Sequence, residues 1–110
     1  MPIIDTSLIV DRISEGTEIA EDVCIISVIE FPTLLEYARF RGRILYPDLK
    51  DLELSLELQK KLKSIGRMKG ASDLIIAATC INSGQMLLTL DHDFEEISKV
   101  SGLKVVRNAF

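Results

Sequence analysis

The sequence has no tryptophan, one histidine, two cysteines and three prolines, and aromatic residues make up only 5% of it. Each shortage excludes something. Cys24 and Cys80 lie inside apolar runs, VCIIS and AATCI, and form no CxxC or Cys/His cluster. A zinc site is therefore not expected, and both read as small buried hydrophobes. With so few aromatics the core must be built from Leu, Ile and Val. No apolar run reaches the ~18 residues that a membrane helix requires. The opening MPIIDTS lacks the basic segment and apolar stretch of a signal peptide, so a cytoplasmic protein is expected. Positive charge is not in excess either. A net charge of −4 argues against a protein that coats nucleic acid by bulk electrostatics, while remaining compatible with acids gathered around a cation. No linker, repeat or low-complexity segment divides the 110 residues, which are expected to form a single domain, 1–110.

Hydrophobic residues make up 47% of the chain, and their spacing suggests alternating strands and helices. Residues 2–5 read as a buried strand ending in Asp5, followed by a helix over 7–14 with Ser7 as a candidate N-cap. Residues 15–22 read as a polar loop or a weak helical turn. The β-branched run 23–29 begins as a second strand. Ser27 and Glu30 have capping-box spacing, which places a helix start there, with Pro32 in its first turns and the helix running through LLEYARF. Residues 50–65 fit two patterns. Leu52, Leu54, Leu56 and Leu58 alternate like a strand, whereas Leu54, Leu58, Leu62 and Ile65 fit one helical face. The Leu, Glu, Lys and Gln content favours helix, leaving Leu52 and Leu56 as a smaller stripe that suits a partner subunit. A buried helix over 71–83 should stop at Gly84. A strand over 86–90, a helix over 93–99 and a strand over 103–107 complete an α/β/α sandwich around a mainly parallel sheet.

Such sheets bind ligands at the carboxyl ends of their strands. Asp5 ends the first strand, Asp91 follows the MLLTL strand, Glu30 follows the second, and Asp73 lies in the first turn of the buried helix. Converging carboxylates repel one another and hold their protons more tightly. A hard divalent cation such as Mg²⁺ or Mn²⁺ removes the conflict, and the chemistry it suits is phosphodiester hydrolysis. Taken singly, each acid reads more readily as a helix cap or a solvated turn residue; the strength lies in the set.

Four segments together resemble the PIN-domain family: IIDTS, SVIEF, IGRMKGASDLIIAAT and LLTLDHDF. Nearly the whole chain follows that pattern. The resemblance implies a compact three-layer α/β/α fold and a metal-dependent endoribonuclease acting on RNA. It also implies a homodimer and, in the common prokaryotic case, a VapC-type toxin paired with a small VapB-type antitoxin. Asp5, Glu30, Asp73 and Asp91 match the family's acidic positions. Asp93 is a second candidate metal ligand, with capping of the following helix as its competing role. Thr6, Ser7 and Thr89 would orient carboxylates; for Thr89 the competing reading is an ordinary strand residue. The intervals from Asp5 to Glu30 and from Glu30 to Asp73 are short for the family, which has a longer helical excursion in the first.

His92 lies between two candidate acids, yet a lone exposed turn histidine is the commoner case. Arg39, Arg41 and Arg43, or Lys60, Lys61, Lys63, Arg67 and Lys69, are candidates to hold RNA phosphates, against the plainer reading of solvated helix faces. Two rivals stand beside the nuclease. A scaffold that no longer cleaves would explain the short intervals. A phosphoacceptor domain of the response-regulator type would need an acidic pair after the first strand, where this sequence has Asp5 followed by Thr6 and Ser7.

Overall fold

The computed structural model describes residues 1–107. Five strands and five α-helices follow in the order β1 (Ile3–Ile4), α1 (Thr6–Glu15), β2 (Asp22–Cys24), α2 (Ile25–Glu30), β3 (Ile44–Leu45), α3 (Leu49–Ser64), α4 (Ala71–Ser83), β4 (Leu87–Thr89), α5 (Asp93–Lys99) and β5 (Val105–Arg107). A 3-10 helix, Pro32–Glu36, follows α2. Every strand pairing is parallel and the order across the sheet is β3-β2-β1-β4-β5. This is the α/β fold with a parallel sheet that the sequence suggested.

The strands are short, but their alternation divides the interior cleanly. Ile3, Cys24 and Leu87 face a core shared with Leu58, Leu62, Ala77, Phe94 and Ile97 of α3, α4 and α5. Their neighbours Ile4, Val23 and Leu88 face the opposite core, with Leu8, Ile9, Val28 and Leu34 of α1, α2 and the 3-10 helix. Three layers result, and both faces of the sheet are covered. The helix over 71–83 forms as expected and ends where Gly84 takes the left-handed conformation, φ 69°. α3 forms as a helix, with Leu58 and Leu62 buried and the Leu52 and Leu56 stripe exposed. Ile65 leaves its face at the helix end and is exposed.

Several expectations are corrected. Asp5, not Ser7, is the N-cap of α1: its carboxylate accepts the Leu8 N–H at 3.2 Å. α2 begins at Ile25, so Ser27 starts no helix and makes no capping box; Glu30 is the last residue of α2. The expected helix through LLEYARF is interrupted. Pro32 disfavours helical backbone in the residue before it, and Phe31 turns out to φ −140°, ψ 75°. Strand β3 was not anticipated. The chain reaches it through Gly42, where a Cβ would lie 1.8 Å from the Glu21 carbonyl oxygen, so only glycine fits. Ile19 in the polar loop is buried and bridges to Phe40. Among the described residues no helix is long and apolar enough to cross a membrane.

Candidate metal centre

The carboxyl edge of the sheet collects the acids. Parallel pairing of β1 with both β2 and β4 opens Asp5, the end of α2 and the β4–α5 turn on the same side. Asp73, in the first turn of α4, and Asp91 and Asp93, around the start of α5, each place a carboxylate oxygen within 4.8 Å of the others'. Asp5 and Glu30 fall outside that trio but border it, since both of their charges bear on Asp73.

Asp5 is almost wholly buried, at 3% exposure. Its two oxygens lie 2.8 and 3.0 Å from Ser7 Oγ, and one also accepts from Leu8 N–H. Burial nevertheless holds its pKa above the ordinary carboxylate value, with the Asp91 charge adding to it. Glu30 is exposed and accepts a 2.6 Å hydrogen bond from the Thr6 hydroxyl, which also lies 3.0 Å from Ser27 Oγ. Thr89 is buried at the end of β4; its hydroxyl accepts the Asp91 N–H at 2.9 Å and lies 3.5 Å from Ser7 Oγ. Ser7 and Thr89 therefore link Asp5 to the turn carrying Asp91, with Thr89 facing the site, while Thr6 ties Glu30 to Ser27. Asp91 Oδ1 in turn accepts the Asp93 N–H at 2.9 Å. Asp93 is the first residue of α5 rather than its cap; the N-cap position is His92, which makes no side-chain capping hydrogen bond.

Asp73 carries the electrostatic consequence. Burial, then the charges of Asp91, Asp5, Glu30 and Asp93, push its pKa up to about 6. Among the described residues only the Lys69 ammonium and the exposed His92 ring lie within 4.0 Å of a carboxylate of this cluster, and both approach Asp93. The donor set fits a hard divalent ion. It offers carboxylate oxygens only, and oxygens up to ~4.8 Å apart are what ligands at ~2.0–2.6 Å on opposite sides of one ion require.

Several of the other basic candidates are engaged elsewhere. Arg39 donates to the Gly16 carbonyl, Arg41 to that of Ala38, and Arg43 to Asp22. Arg67 pairs with Glu96 at 3.1 Å and Lys60 with Glu57 at 3.4 Å. Sequence reasoning missed Glu96 and Gln59, which hold Lys69 beside the acids; the only local hint was the i, i+3 spacing of Asp93 and Glu96 on a helix. Cys24 and Cys80 are free and buried, and burial pushes both thiols up, out of nucleophilic range.

The family model described as "PIN domain" matches residues 3–100. No curated protein matches the chain by sequence. Solved structures do match in shape. The DNA-bound VapBC of Salmonella typhimurium has a TM-score of 0.78 at 17% identity, covering 97% of this chain and 98% of that one. VapBC2 of Rickettsia felis, bound to a promoter DNA fragment, has a TM-score of 0.76 at 19% identity and 96% coverage of both chains. VapBC-5 of Mycobacterium tuberculosis, a toxin–antitoxin system, has a TM-score of 0.74 at 19% identity, covering 96% of this chain and 97% of that one.

Proposed function

The chain belongs to the PIN-domain family, and on that premise we propose that it is a divalent-metal-dependent endoribonuclease, the toxin of a VapBC-type pair acting in the cytoplasm. The observation that carries the reading is the convergence of Asp73, Asp91 and Asp93, bordered by Asp5 and Glu30, with Asp73 held at a pKa of about 6 by burial and then by its neighbours' charges. Acids retained in such mutual conflict make sense where a cation relieves it. That same cluster disfavours a scaffold without catalysis.

Asp5, Asp73 and Asp91 would hold Mg²⁺ or Mn²⁺ directly or through water, with Asp93 at hand as a further ligand. A divalent ion there supplies charge stabilisation for the phosphoryl oxygens and a more acidic water. Glu30, exposed at the rim and hydrogen-bonded by Thr6, would orient the water that attacks phosphorus. Ser7 and Thr89 fix Asp5 and the turn carrying Asp91, so that the carboxylates meet cation and substrate in one arrangement. The toxin assignment draws support from relatives whose solved forms are toxin–antitoxin complexes, and its partner would be a small VapB-type antitoxin. We place a second copy of the chain on the exposed Leu52 and Leu56 stripe, which lines a groove with Leu74 and Ile75.

The test is cleavage of RNA in Mn²⁺ by the parent and by Asp5→Asn, with circular dichroism on both. The variant should fold and fail to cleave. Equal cleavage by the two proteins would remove Asp5 from the mechanism.

A further inference from the structure

One cation is built into the acid cluster, and its placement is over-determined. Lys69 lies just before α4, whose N-cap is Gly70. Gln59 of α3 grips its backbone twice, donating to the Lys69 carbonyl at 2.6 Å and accepting its N–H at 3.1 Å. Its side chain is only 11% exposed, and Nζ sits 2.6 Å from Glu96 Oε1 and 3.4 Å from Asp93 Oδ1. Glu96 is itself held by Arg67 at 3.1 Å. Three elements, α3, the 66–70 turn and α5, thus hold an ammonium between an acid outside the cluster and one inside it.

A lysine is a compact point charge that one cluster acid and an incoming cation cannot both have fully. Asp93 is the only member of the trio so paired, whereas Asp73 and Asp91 have no cation within salt-bridge distance among the described residues. The geometry points to Lys69 as a tethered counter-ion that competes with the divalent cation for Asp93, with Glu96 as the acid to which it withdraws. This rests on the metal-dependent reading above and deepens it. Asp91 is then the standing fourth acid beside Asp5, Glu30 and Asp73, and Asp93 is a reserve ligand released against Lys69. Lys69 is a positioning residue, acting on the site through Asp93.

Calorimetric titration of Mn²⁺ at neutral pH into purified parent, Lys69→Met, Glu96→Gln and Asp93→Asn proteins tests this. Removing Lys69 frees Asp93, so Lys69→Met should bind Mn²⁺ at least about threefold more tightly. Glu96→Gln leaves Lys69 wholly to Asp93 and should bind more weakly by a similar factor. Asp93→Asn should still bind, and adding Lys69→Met to it should change affinity by less than about twofold. Weaker or unchanged binding by Lys69→Met would overturn the inference. So would loss of all binding in Asp93→Asn, or an undiminished Lys69→Met effect in that background, which would reveal charge acting at a distance. A parent that binds no Mn²⁺ would instead overturn the metal-dependent reading, and this inference with it.

Discussion

Asp5 and Asp22 lie at opposite ends of neighbouring parallel strands and are almost equally inaccessible, at 3% and 2% exposure. They titrate in opposite directions. Asp22 opens β2 at the amino edge and is fully matched: Arg43 donates its backbone N–H at 3.0 Å and Nη2 at 2.8 Å, and Gln85 Nε2 lies at 3.1 Å. Those partners outweigh burial and lower its pKa. Asp5, at the carboxyl edge, receives only neutral donors, and its pKa is raised. Equal burial therefore says nothing by itself. An acid matched by charge within the chain has its pKa lowered and builds the fold, and an acid left unmatched beside other acids has it raised, at the edge where the proposed cation would act.

The sharpest way to break this contrast is to exchange roles. Asp73→Asn should lower RNA cleavage by about a hundredfold or more, since even residues behind the ligands contribute ~10–100-fold. Its metal-free stability should hold or rise, because one repelling charge has gone. Asp22→Ala should behave in reverse. Urea unfolding should show a loss of about 2 kcal/mol from the missing acceptor of buried donors, with cleavage per folded molecule unchanged.

A third prediction separates the two edges by pH. A carboxyl with a raised folded pKa contributes stability that is full below its unfolded value and lost as pH rises through the folded value. For Asp73 that window runs from its ordinary value of 3.8 to about 6. Discounted for partial exposure, metal-free stability should fall by roughly 1–2 kcal/mol between pH 4 and pH 7 through this group. Asp22 works with the opposite sign: its contribution is present above 3.8 and lost as pH falls through its lowered folded value. Urea midpoints measured across pH in chelator should show the neutral-side decline, and Asp73→Asn should flatten it. The smallest effect concerns orientation. Thr6→Val removes the hydroxyl that holds Glu30 and should slow cleavage about tenfold, with only a small fall in melting temperature from the lost Ser27 contact.

What was legible in the sequence was whatever is decided locally. The apolar 71–83 run, closed by a glycine able to adopt φ 69°, marks α4 in the local sequence. The helix over α3 follows from its helix-forming residues once the Leu58 and Leu62 face is recognised. The N-cap of α1 was not decided locally. Asp5, Thr6 and Ser7 are all good caps, and the choice falls to Asp5 because its N–H bonds the Leu88 carbonyl of β4, holding it extended where the helix must start. β3 was missed for a related reason: two apolar residues become a strand only because Val23 and Cys24 present an edge to pair with. The acids were visible as strand-end residues, and their convergence required the parallel pairing. The Lys69–Glu96 pair joins positions 27 apart, a separation that no local pattern encodes.

Anomalous diffraction from crystals soaked in Mn²⁺ tests the contrast most directly. A manganese peak among Asp73, Asp91 and their neighbours at the carboxyl edge, with none beside Asp22, is the result expected. A peak at the matched Asp22, or a carboxyl edge that stays empty at saturating Mn²⁺, would contradict it.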